Sequence, residues 1–170
     1  MASLLKELSL AIGLLSSDDA QVALKEGWQG YVWRVRPVEH CAAPDERGFC
    51  TLLESRWDWK RDQHYVFAVK MDGEENRIET RVLLDNRDPD DDDHVCIAAV
   101  FYDRDDREVA VDFRHIYSVP GQKTGGEAVL MPMRPLKEAT RVAIGSKQCD
   151  AAAEEDAALF ASVRDKLGQK

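Results

Sequence analysis

No stretch of 18 or more apolar residues occurs in the chain, which excludes a membrane-spanning helix. Cysteine is scarce, and none of Cys41, Cys50, Cys96 and Cys149 stands in the paired two-residue spacing that zinc ribbons use. Histidine is equally sparse: His40, His64, His94 and His115 form no i,i+4 pair and no HExxH motif, so a helix-borne zinc site is not expected. There is no Gly-x-Ser-x-Gly elbow, and Gly145-Ser146-Lys147 is too short to replace one. Gly125-Gly126 falls between expected strands and opens no helix, so no phosphate-cradling loop is expected. Positive charge is in deficit. With 23 Lys and Arg against 32 Asp and Glu the formal charge is -9, which repels phosphate backbones and argues against a nucleic-acid partner.

What is present suits one globular domain. The 170 residues are 44% hydrophobic and 32% charged, close to ordinary usage for a folded chain and too few for separate cofactor and substrate lobes. Leu4, Leu5, Leu8, Ile12 and Leu15 recur at helical spacing behind Ser3, and a second short helix is expected from Asp18 to Glu26, closed by Gly27. Glu7 and the acidic Ser16-Ser17-Asp18-Asp19 spoil a signal-peptide reading of the first segment, so a cytoplasmic location is expected, with export the minority alternative. Cys41 and Cys50 would close a hairpin loop around CAAPDERGFC in an oxidising compartment. In a reducing one all four cysteines are buried or idle thiols, and that is the expectation.

From residue 27 the period changes to two. Strands are expected near 28–37, 49–58, 64–71, 77–85, 95–102, 108–117, 127–133 and 139–145, separated by turn chemistry every 8–16 residues. Such spacing leaves no room for parallel crossovers and predicts an antiparallel β-sandwich of about eight strands, immunoglobulin-like, over a β body of 27–146. Pro37 marks an edge or a strand end. VCIAAVFY, from Val95 to Tyr102, is apolar at nearly every position and predicts a central strand covered on both faces. A C-terminal helix is expected over 150–168, capped by Asp150, with Leu159, Phe160, Val163 and Leu167 as its stripe.

Two surface features are candidates for function. Tyr31 and Trp33 share one face of a strand by alternation, and Trp57 and Trp59 share another. Pointing outward beside Arg34, Arg36, Lys60 and Arg61, they would make a platform for a partner protein or a sugar ring; pointing inward they are core, as expected of at least one pair. The second feature is DNRDPDDDD, six carboxylates in nine residues from Asp85 to Asp93. Asp88, Asp90 and Asp92 alternate as calcium ligands would, but an EF-hand loop starting at Asp88 would need Gly at Asp93 and Glu at Ala99. A looser calcium site completed by Asp103 or Asp105 is the functional alternative to an exposed charged hairpin loop, and the loop is expected. Asp103 to Glu108 alternates sign as a hairpin turn does, His115 reads as a partly buried structural histidine, and Cys50 with His64 is the one thiol–imidazole pairing considered.

The segment RVLLDNRDPDDDDHVCIAAVFYDRDDREVAV, followed by Pro120-Gly121, resembles the strand pattern of FxLYD-type and related immunoglobulin-like bacterial domains, with an Asn after a strand, a Phe-Tyr-Asp strand end and a Pro-Gly turn. The resemblance covers about a quarter of the chain, implies a sandwich and carries over no functional residue. Together these features predict a non-catalytic interaction or assembly subunit that needs no cofactor or resident metal. Its expected partners are other protein subunits, or a second copy of itself, met through the terminal helices. The alternative is a carbohydrate or small-ligand binding module using Tyr31, Trp57 and Trp59, aided by calcium at the acidic loop. An enzyme would need histidines and carboxylates gathered by the fold around His64 or His115.

Overall fold

A computed structural model describes residues 30–38, 43–57, 61–132, 134–149 and 154–158. The expected N-terminal helices and the apolar stripe of the C-terminal helix lie outside these residues, and 154–158 are helical. Eight strands follow one another: β1 (Val32–Pro37), β2 (Cys50–Arg56), β3 (Gln63–Asp72), β4 (Arg77–Asn86), β5 (Asp93–Asp103), β6 (Glu108–Ser118), β7 (Lys123–Leu130) and β8 (Ala139–Gln148). They form two antiparallel four-stranded sheets, sheet A in the order β1-β8-β5-β6 and sheet B in the order β2-β3-β4-β7. The architecture is mainly β and sandwich-like. Among the described residues no helix is long and apolar enough to cross a membrane.

Alternation explains which side chains meet between the sheets. In β4, Ile78, Thr80, Val82, Leu84 and Asn86 are buried while their neighbours are not. Tyr65, Phe67 and Val69 of β3 point the same way and join Val95, Ile97, Ala99 and Phe101 of β5 and Val142 and Ile144 of β8 in one hydrophobic cluster. Pro37, with no amide hydrogen, ends β1 at the edge of sheet A, as expected. β5 lies between β8 and β6 and is buried at every position from Val95 to Tyr102, which agrees with the continuous apolar run read as a central strand.

Three expectations are corrected. Strand β7 begins at Lys123 rather than near residue 127, so Gly125 and Gly126 lie inside it, opposite Leu83 and Val82. The reason is close approach: a Cβ on Gly125 would stand 2.0 Å from the Val82 carbonyl oxygen, so the glycine lets β7 press onto β4 rather than breaking the strand. The acidic connection 87–92 is not a hairpin, because β4 belongs to sheet B and β5 to sheet A; it crosses between sheets. Idle thiols are the third. Cys96 of β5 is bonded to Cys149, 53 residues away, with Cα atoms 5.7 Å apart, and Cys50 is disulfide-bonded too.

Candidate functional site

Tyr31 and Trp33 do share a face, with ring centroids 5.4 Å apart, and both are fully buried. Trp33 pairs in register with Gly145 of β8, where a Cβ would meet the indole at 2.7 Å, so the ring lies flat on a strand that has no side chain there. The Tyr31 hydroxyl donates to Asp156 at 3.0 Å, and the Lys147 ammonium reaches the same carboxylate at 2.7 Å and stands 4.8 Å from the Tyr31 ring. Burial, then the Asp156 charge, pushes the Tyr31 phenol far up, so it stays a donor. Trp57 follows β2 instead of lying in it; it is 7% exposed and joins the core. Trp59 lies outside the described residues. The three described aromatics therefore form no outward platform.

Around Trp57 lies a buried polar network that holds the sheets together at one end. The Gln63 side-chain oxygen accepts from the Trp57 indole at 2.9 Å and from the Ser118 hydroxyl at 2.8 Å. Its amide nitrogen donates to the Asp91 carbonyl and to Asp93, each at 3.4 Å. Gln148 of β8 donates to the other Asp93 oxygen at 2.7 Å, and Arg61 stands 3.2 Å from the Asp93 carboxylate. A fully buried amide costs several kcal/mol if unsatisfied, roughly 1–3 for each lost partner, so this network is structural first.

The acidic connection runs beside this network, and its three candidate ligands do not converge. Asp88 closes a turn by accepting the backbone N–H groups of Asp90 and Asp91 at 3.0 and 3.1 Å, and the Asp90 amide helps hold its carboxyl below the usual range. Asp90 is exposed, and Asp92 accepts the Tyr117 hydroxyl. Asp103 sits at the far end of β5, about 33 Å away at strand rise, where it caps the β5–β6 turn through the N–H groups of Asp105 and Arg107. Completion of a calcium site by Asp103 or Asp105 is thereby ruled out. Among the described residues no three His, Cys, Asp or Glu side chains gather as a metal-holding group.

A cleft of about 300 Å³ opens between β6 and β7, the last strands of their sheets. Its origin is local: the inward positions of β7 carry Thr124, Gly126 and Ala128, which are too small to fill the space under β6. Val82 and Ile116 contribute apolar surface, and Arg114, His115, Tyr117 and Thr124 contribute polar groups. Arg114 is committed: it donates to Asp112 at 2.8 Å and to the Thr80 hydroxyl at 2.9 Å, and that hydroxyl donates to Asp112 at 2.6 Å.

His115 is exposed rather than half-buried, which corrects its expected place. His94 Nδ1 and His115 Nε2 stand 2.8 Å apart, and the Tyr117 ring lies 4.8 Å from the His94 ring. Sequence reasoning missed this pair because the two histidines are 21 residues apart and meet only through the β5–β6 register; a hairpin alignment of the two expected strands would have found it. Cys50 with His64 is ruled out as a catalytic pair. Cys50 has no thiol, it pairs with Val69 while His64 pairs with Arg56, and His64 is bonded to Asp62 at 2.8 Å. With the Ser118 hydroxyl donating to Gln63, none of these groups forms a nucleophile–base pair.

No protein-family model matches the chain, and no curated protein matches it. The resemblance of 81–111 to FxLYD-type domains therefore rests on those residues alone.

Proposed function

We propose that this protein is a non-catalytic interaction or assembly subunit and that a partner chain meets it along the β6/β7 side. One observation carries the reading. The large hydrophobic side chains left exposed among the described residues are Leu83, Tyr117, Val129 and Met131, and all four belong to β4, β6, β7 or the residue after it. Single exposed apolar residues are ordinary, but here Leu83 and Val129 project from the outer face of sheet B and Tyr117 from that of sheet A, so they flank the β6/β7 side from both faces, beside two terminal strands. β7 is the last strand of sheet B among the described residues, so its free edge offers backbone groups for strand addition. The terminal helices are the second expected contact.

The two antiparallel sheets, joined by crossings at β1–β2, β4–β5, β6–β7 and β7–β8, support an immunoglobulin-like reading of the sandwich. The β6/β7 cleft favours a second function, small-ligand binding, with Arg114, His115 and Tyr117 in place of the buried aromatics. The bonded cysteines favour the exported alternative over the cytoplasm.

Light scattering of the protein purified natively from its host tests the main reading, together with a Val129→Glu, Met131→Glu variant. A defined complex that falls apart in the variant, with an unchanged melting midpoint, is the expected result. A 19.2 kDa monomer from the native source, or a complex indifferent to both substitutions, overturns it.

A further inference from the structure

We propose that His94 and His115 form a surface site for a borderline transition-metal dication, such as Zn²⁺, Ni²⁺ or Cu²⁺. The ladder pairs His94 with Tyr117 and Cys96 with His115, so the two histidines are diagonal neighbours on the outer face of sheet A. Their near nitrogens are 2.8 Å apart and their ring centroids 5.0 Å apart. Each neutral imidazole carries one N–H, so without metal one of these nitrogens donates and the other accepts. Two imidazole nitrogens held at about 2.0–2.1 Å by one dication stand about 2.9 Å apart at a right angle and about 3.4 Å apart in a tetrahedron. The nitrogen separation is close to that span, but centroids 5.0 Å apart place both nitrogens on the line between the rings, so each ring must turn for the two lone pairs to converge on one ion; both rings are carried on paired strands rather than on loops.

The surroundings select charge and softness. Asp92 accepts from the hydroxyl of Tyr117, whose ring lies 4.8 Å from the His94 ring, and Asp88, Asp90 and Asp91 precede it on the same connection. That negative field attracts a cation, while two imidazoles prefer Zn, Ni or Cu over calcium. Metal uptake needs both facing nitrogens as lone pairs. Between two neutral rings, the donor's proton moves to its own remote nitrogen and none is released; where a ring is protonated, binding expels that proton to solvent. Water fills the remaining coordination positions, which makes this an exchangeable site rather than a resident structural one.

The test uses the full-length chain without a histidine tag. Zn²⁺ is titrated by calorimetry into the native protein, His94→Gln, His115→Ala and His64→Ala, and Cu²⁺ is bound for electron paramagnetic resonance. The expected result is saturable Zn²⁺ binding, weakened roughly tenfold or more by His94→Gln or His115→Ala and unchanged by His64→Ala, with the Cu²⁺ spectrum showing two imidazole nitrogens. Equal affinity in all four proteins, no binding, or a single coordinated imidazole overturns the proposal. Should His94→Gln fail to fold, His115→Ala and the spectrum of the native protein decide the matter.

Discussion

The outer faces of the two sheets are built from opposite materials. On sheet A, Cys96, Ala98, Val100 and Tyr102 of β5, Ala143 and Gly145 of β8 and Trp33 of β1 are all buried, although they point away from the space between the sheets. Polar groups on this face lie at its margins: Lys147 and Tyr31 are held by Asp156 of 154–158, while His115 and Tyr117 stand exposed on β6. Sheet B presents Lys70, Arg77, Glu79, Arg81, Asp85 and Glu127: Lys70 and Arg77 pair with Glu79, Asp85 with Arg87 and Lys123, and the 43–49 loop joins through Arg81–Asp45 and Arg47–Glu127. Phe49 is the apolar anchor of that loop, with the Arg81 guanidinium 4.3 Å from its ring. The β1, β8 and β5 part of one face is thus buried and apolar, whereas the other face is charged except under Phe49 and at exposed Leu83 and Val129.

The largest expected difference comes from the disulfide on the covered face. Replacing Cys96 and Cys149 together by alanine releases a 53-residue link and should cost about 4 kcal/mol by loop entropy, read as a lower urea midpoint. A loss under about 1 kcal/mol would mean that the covered face is held by packing alone. Gly145→Ala comes next. Its new methyl meets a buried indole with nowhere to go, and about 1–3 kcal/mol of destabilisation is expected; a neutral result would show that Trp33 can lift off β8.

The charged face should respond least, and to acid. The hydrogen bond from Arg81, followed by the Phe49 amide, lowers the Asp45 carboxyl from 3.8 to about 2. Because the folded value is the lower one, the contribution is complete only above about pH 5 and is lost progressively as pH falls through about 2. Amide exchange across 45–49 should therefore quicken over that window in the native chain but not in Asp45→Asn, while exchange from Cys96 to Tyr102 is unchanged. Arg47→Ala should leave the melting midpoint where it is, as expected of an exposed ion pair. A clear drop would place the charged face on an equal footing with the covered one.

Much of the strand layout was legible because β structure writes a period of two between turn residues. β4 alternates burial along its length, and β5 shows its central place by ceasing to alternate. β7 was read late because a glycine pair resembles a break until the strand it must approach is known. The candidate site was less legible. Alternation correctly put Tyr31 and Trp33 on one face, yet whether that face meets water depends on what lies over sheet A. Asp88, Asp90 and Asp92 have the right composition for a cation, but a crossing connection turned Asp88 onto its own backbone and Asp92 toward Tyr117.

By itself, then, the amino-acid order determined where the chain extends, where it turns and which positions share a face, since these follow from local sterics and hydrophobic period. Only the tertiary structure decided that Cys96 meets Cys149, that His94 meets His115, that Gln63 links the two sheets and that the space under β6 stays open. Each of these depends on strand register or sheet order, and both are settled by how two whole sheets bury their common core, which no short window of sequence contains.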